Sequence, residues 1–201
     1  MKPDPSSDEC ARADVAPQLP QLSVIPVVGR ARGQLASVLD GRYGSMHPDE
    51  LQSAIRWLAL QTDLTAVDYV LGIPEGGCIP AYAFAVATGL RVVLATIWQP
   101  DRPGVVSFCE AHDPPPVTGK HVYGLSPGDH VIVVEDEVTS GRTVVNCVRA
   151  LRAAGIHCDQ VAALYAADDP QMHALLAEEQ VRLHAASLYQ VHIGQCLYGA
   201  Q

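Results

Sequence analysis

The segment that most restricts this chain is 130–155, HVIVVEDEVTSGRTVVNCVRALRAAG. Val131–Val134 is an unbroken β-branched run, the pattern of a strand buried on both faces. Two carboxylates, Glu135 and Asp136, stand where that strand is expected to end. Thr139, Ser140, Gly141, Arg142 and Thr143 follow as a small, hydroxyl-rich loop. Val144, Val145, Val148, Leu151 and Ala154 then recur at helical spacing, and Gly155 fits the position just past a helix end. The order is strand, acid pair, loop, helix.

That order has a chemical meaning. Backbone N–H groups entering a helix N-terminus form an anion site, and threonine and serine hydroxyls add donors. Two adjacent carboxylates one step earlier can accept from a pair of vicinal hydroxyls. Phosphate beside a diol describes a ribose 5-phosphate. The loop is neither a Walker A motif nor a G-x-G-x-x-G fingerprint. An ordinary turn with solvated acids is the bland alternative, and the joint occurrence of all three parts in order argues against it.

VIVVEDEVTSGRT resembles the phosphoribosyl-diphosphate (PRPP) signature of the type I phosphoribosyltransferases. Position by position, the resemblance implies that Glu135 and Asp136 hold the ribose hydroxyls. It places Thr139, Ser140, Gly141, Arg142 and Thr143 on the 5-phosphate. Arg142 stands where that family commonly has a small residue, so it either adds a contact to phosphate or points to solvent. The fold implied is α/β: a Rossmann-like parallel sheet of about five strands with flanking helices. A small hood from about 22–46 and 186–198 would cover it.

Composition bounds the rest. The 201 residues, 48% hydrophobic, suit one domain over 22–201 with one sizeable core. A net charge of −9 and a pI near 5.2 argue against nucleic acid or an anionic membrane as partner. No apolar run approaches the ~20 residues of a membrane span. Residues 1–21 lack an apolar signal-peptide core and read as a disordered leader, so a cytoplasmic protein is expected. Six scattered cysteines and eight histidines show no metal-ligand spacing, so no metal is expected from protein ligands alone.

Taken in order, Leu22–Val28 is an edge strand at best because of Pro26. Gln34–Leu39 alternates weakly before the turn Asp40–Gly44, and Pro48–Gln61 has the pattern of a helix. These parts are assigned structural roles. Val67–Ile73 is the first core strand, Pro80–Thr88 an alanine-rich helix, and Arg91–Ile97 the next strand. A βαβ unit of this length makes the sheet parallel, with ligands at the carboxyl ends of its strands. The intervening Pro74, Glu75, Gly76 and Gly77 resemble the family's diphosphate loop, although Glu75 is repulsive there unless Mg²⁺ intervenes or it turns outward.

The stretch Gln99–Tyr123 is rich in proline and glycine and is expected to lack helix and strand, acting as a closing lid. Within it, Lys120 is a candidate catalytic cation and Arg102 a candidate for diphosphate. Gln160–Ala166, Pro170–Glu179 and Val181–Val191 follow as strand, helix and strand. Val138, Asp168 and Tyr189 are the candidates for contacting a base, Tyr189 by stacking or simply by packing.

The resemblance implies transfer of 5-phosphoribosyl from PRPP to a ring nitrogen with release of diphosphate, Mg²⁺ riding on PRPP. Where orotate enzymes typically carry an arginine, Ala166, Ala167, Asp168 and Asp169 stand, which favours a purine-like base. Orotate is the alternative acceptor. A noncatalytic PRPP-sensing regulator is the alternative of a different class, and a homodimer is expected.

Overall fold

The computed structural model describes residues 16–25, 34–111 and 119–190. Its core is a five-stranded parallel sheet built from β3 (Tyr69–Gly72), β4 (Arg91–Leu94), β7 (His130–Val138), β8 (His157–Ala167) and β9 (Arg182–Tyr189). The strand order is β4-β3-β7-β8-β9, so β7 lies at the centre. Two antiparallel hairpins accompany it, β1 (Ser23–Ile25) with β2 (Gln34–Ala36) and β5 (Val106–Cys109) with β6 (Gly119–Val122).

Alternation along β7 divides the core in two. Val131 and Val133 face one side, packed with Val144, Val148 and Leu151 of helix α3 (Arg142–Ala153) and Met172 and Leu176 of α4 (Pro170–Glu178). Ile132 and Val134 face the other, packed with Leu51, Ile55 and Leu58 of α1 (Pro48–Gln61) and Phe84 of α2 (Cys78–Thr88). Both faces of the central strand are buried, which is why its run is continuously apolar. A Cβ on Gly72 would stand 2.7 Å from that of Ala81, so α2 sits unusually close to β3.

Helix ends follow their sequence signals. Pro48 opens α1, with Asp49 and Glu50 in its first turn complementing the helix dipole. Gly155, at φ +77, turns the chain out of α3 while Ile156 N–H closes on the Leu151 carbonyl.

Several boundaries differ from the sequence reading. The central strand does not stop before the acids but continues to Val138, because β8 pairs with it as far as Ala166. Helix α3 already begins at Arg142. The stretch expected to lack regular structure holds the β5–β6 hairpin, whose apolar Val106, Phe108 and Val122 join the core. Leu19 packs on the core and the Pro20 carbonyl accepts from Tyr165 Oη at 2.7 Å, so the end of the stretch read as a disordered leader is tied down at these two residues. Residues 186–189, assigned to the hood, are part of β9, and 191–198 lie outside the described residues. No helix among the described residues is long and apolar enough to cross a membrane.

Candidate functional site

Three carboxylates leave the carboxyl end of β7 into different surroundings. Glu135 is buried beside Cys78, and the charges of Glu110 and Lys120 act on it. Burial, aided by the charges of Asp136 and Glu110, holds its pKa well above the usual carboxylate value. Asp136 keeps 15% of its side chain exposed and accepts from Arg42 Nη2 at 2.9 Å. Burial pushes its pKa up to about 7, against the pull of that arginine. Glu137 is also raised by burial, while hydrogen bonds from Thr139 and Tyr189 oppose the shift.

Arg42 is the residue that sequence reasoning missed. It follows Gly41, whose φ of +73 reverses the chain after a short 3₁₀ turn. Buried Asp40 grips it from behind, taking Nη2 at 2.6 Å, Nε at 2.9 Å and its backbone N–H at 2.8 Å. Burial lowers the guanidinium pKa, but Asp40 and Asp136 outweigh that and raise it. Nη1 lies 4.0 Å from Glu75. Asp40, Gly41 and Arg42 stand 94 residues before Asp136 at their nearest, and only the fold joins them.

The turn after β3 is pressed onto the acid pair. A Cβ on Gly76 would stand 2.1 Å from Asp136 Oδ2, and one on Gly77 would stand 2.6 Å from Glu135 Oε2. Only glycine fits at either position. Pro74–Glu75 is a cis peptide, and the Glu75 side chain turns outward, 76% exposed. The two motifs therefore share one crevice, as the topology of the strands requires.

The hydroxyl-rich loop lies at the N-terminus of α3. Gly141 adopts φ +71, and Thr139, Ser140 and Arg142 are exposed. Thr139 Oγ1 donates to Glu137 Oε1 at 2.5 Å, and Thr143 Oγ1 accepts from the Ala111 N–H at 3.0 Å. Free N–H groups of the first helical turn provide a place for an anion. Arg142 has solvent around it, one of the two positions open to it.

The remaining candidates are redistributed. Lys120 is buried on β6 and forms an ion pair with Glu110 at 2.9 Å, so it is a partner of the acids rather than a free catalytic cation. Arg102 is exposed in the turn before β5, with no hydrogen bond or ion pair to the Pro74–Gly77 turn. The Val138 side chain belongs to the core and cannot line an open base pocket. Asp168 is exposed and accepts from Gln190 Nε2 at 3.2 Å, while Asp169 caps α4. Tyr189 reaches the site, its hydroxyl donating to Glu137 Oε1 at 2.6 Å. No cluster of three or more histidine, cysteine or acidic side chains poised for a metal occurs among the described residues.

Parallel strands that bring an acid pair and two small-residue turns to one crevice define a ligand-binding α/β domain of the doubly wound kind. Residues 47–177 match the phosphoribosyl transferase domain, and the chain belongs to that family. Among curated relatives, an orotate phosphoribosyltransferase of Pelotomaculum thermopropionicum is 30% identical over 54% of this chain and 50% of its own. A hypoxanthine/guanine phosphoribosyltransferase of Methanosarcina barkeri is 26% identical over 58% of this chain and 61% of its own. The chain thus spans about half the length of the first and three-fifths of the second. The solved APRTase of Giardia lamblia complexed with 9-deazaadenine has a TM-score of 0.68 at 18% identity, covering 84% of this chain and 94% of that one. Adenine phosphoribosyltransferase from Thermoanaerobacter pseudethanolicus gives 0.67 at 13% identity over 84% and 95%. At such identities the likeness concerns the fold.

Proposed function

We propose that the chain transfers the 5-phosphoribosyl group of PRPP to a ring nitrogen of a purine or purine-like base. The observation that carries this reading is the seating of Gly76 and Gly77 against the Asp136 and Glu135 carboxylates. In this reading the turn takes the diphosphate, the acids take the diol and the loop takes the 5-phosphate, since turn and loop follow the adjacent parallel strands β3 and β7. The bond from the anomeric carbon to diphosphate breaks, the bond to the ring nitrogen forms, and the nitrogen's proton leaves to solvent.

The catalytic work is positional and electrostatic. Glu135 and Asp136 orient the ribose through its hydroxyls. Thr139, Ser140, Gly141 and Thr143 take the 5-phosphate at the helix N-terminus. Mg²⁺, carried in on PRPP, supplies charge neutralisation for the diphosphate. Acids outnumber cations around the crevice, with Asp40, Glu75, Glu110, Glu135, Asp136 and Glu137 against Arg42, Lys120 and Arg142, which suits a substrate that arrives with its own metal. Arg42 takes the place given to Lys120 and Arg102 as the cation at the diphosphate mouth.

A cytoplasmic homodimer completes the reading. The edge strand β4 and helix α2 leave Leu94, Tyr82 and Val86 exposed, an apolar face suited to a second copy. Diphosphate release from PRPP and Mg²⁺ with a panel of purine bases tests the function. Tight PRPP binding without diphosphate release for any heterocycle would favour a sensor instead.

A further inference from the structure

Between the ribose acids and the edge strand lies a polar group that neither the ribose nor the phosphate uses. Glu137 Oε1 accepts from both Tyr189 Oη, at 2.6 Å, and Thr139 Oγ1, at 2.5 Å. Two hydroxyl hydrogens are thus committed to one oxygen, and the carboxylate plane is fixed from two elements, β9 and the phosphate loop. Among the described residues no hydrogen-bond donor reaches Oε2, and the side chain is only partly buried. An acceptor-only oxygen, held still and left without a donor, is a recognition element for an N–H group.

We propose that Glu137, braced by Tyr189 and Thr139, selects the acceptor: Oε2 takes an N–H or amino hydrogen from the heterocycle. The substrate class is then neutral bases that present a ring N–H or an exocyclic amino group. Bases bearing a ring carboxylate are disfavoured, because their charge would meet Glu137 with Asp136 and Asp40 close by. The two cations paired with these acids do not relieve this. Arg42 is engaged by Asp40 and Asp136, and Lys120 by Glu110. A fixed polar acceptor of this kind discriminates against a ligand that leaves it unmet. Asp169, which with Asp168 pointed to a purine in the sequence, caps α4, and Asp168 lies exposed beside Gln190, so the argument is carried by Glu137.

The inference rests on the phosphoribosyl reading, and the experiment separates the two. Calorimetric titration of ribose 5-phosphate into the protein comes first; no binding there removes the phosphoribosyl reading, and this one with it. With ribose 5-phosphate present, 9-deazaadenine and orotate are then titrated in turn. The expected result is 9-deazaadenine binding at least about tenfold tighter than orotate. Glu137→Gln should weaken 9-deazaadenine by about ten- to a hundredfold while ribose 5-phosphate stays within about twofold. The preference for 9-deazaadenine over orotate should shrink accordingly, which a merely structural role would not cause. Tyr189→Phe, which removes one brace and keeps the ring, should move the preference the same way by a smaller factor. Orotate binding as tightly as 9-deazaadenine, or a preference unchanged in both variants, overturns the proposal.

Discussion

The two sides of β7 treat neighbouring carboxylates in opposite ways. On one side Glu135 lies within the field of the ion pair between buried Lys120 of the β5–β6 hairpin and partly buried Glu110. On the other, Asp136 meets Arg42, which is anchored by Asp40 and still partly open to solvent. Glu135 is held toward its neutral form, whereas Asp136 balances between burial and an ion pair and titrates near neutrality, at about 7. Two acids adjacent in sequence therefore present two carboxyl groups in unlike surroundings. Burial raises both, and at Asp136 the pull of Arg42 opposes it.

The largest effect should come from removing both. Glu135→Gln with Asp136→Asn should abolish nearly all turnover while circular dichroism stays native, and near-wild-type PRPP kinetics would remove the ribose assignment. Gly76→Ala tests the closeness of the two motifs: with Cβ 2.1 Å from Asp136 Oδ2, the turn or the acid must move. We expect kcat/KM for PRPP to fall by about a hundredfold, since small misplacements at a reacting centre are costly.

Lys120→Met addresses the buried side. Stranding Glu110 next to Glu135 should cost about 3–5 kcal/mol of stability, read by urea melts, because breaking a buried pair leaves an uncompensated charge. A loss of activity without that loss of stability would return Lys120 to a catalytic role. Thr143→Ala removes a hydroxyl worth about 1.5–3 kcal/mol to a charged phosphate and should raise the KM for PRPP substantially, with Thr143→Ser restoring it. An unchanged KM would displace the phosphate from this loop.

The smallest effect is on stability against pH. A carboxyl whose pKa is raised on folding binds a proton that the unfolded chain has lost. Its contribution is fully present below the unfolded value of 3.8 and is lost as pH rises through about 7. Glu135 and Glu137 shift in the same direction. Ligand-free Tm should therefore decline between pH 5 and 7 on account of this cluster, as differential scanning fluorimetry would show, and Asp136→Asn should reduce the decline. An identical slope in that variant would mean that the Arg42 pair keeps Asp136 ionised throughout.

These two sides were not equally legible in the sequence. Strand, acids, loop and helix of 130–155 are contiguous, so local pattern sufficed to order them, and the Gly76 and Gly77 positions followed from strand topology. Strand β7 outran its expected end because cross-strand pairing to β8, not hydropathy, decides where it stops. The β5–β6 hairpin was hidden by flanking prolines and glycines, although Val106, Ser107, Phe108 and Cys109 alternate buried and exposed. Arg42 and Tyr189 could not be paired with their acids from sequence at all. Their partners lie 94 and 52 residues away, and such contacts have no local signature.

The most direct test of the account is calorimetric titration of PRPP with Mg²⁺ into the wild-type protein and the Glu135→Gln, Asp136→Asn double variant. The account predicts saturable binding to the wild type and at least about a hundredfold weaker binding to the variant, as two ribose hydroxyls left poorly matched at about 1–3 kcal/mol each imply. Equal affinities in the two proteins would contradict it.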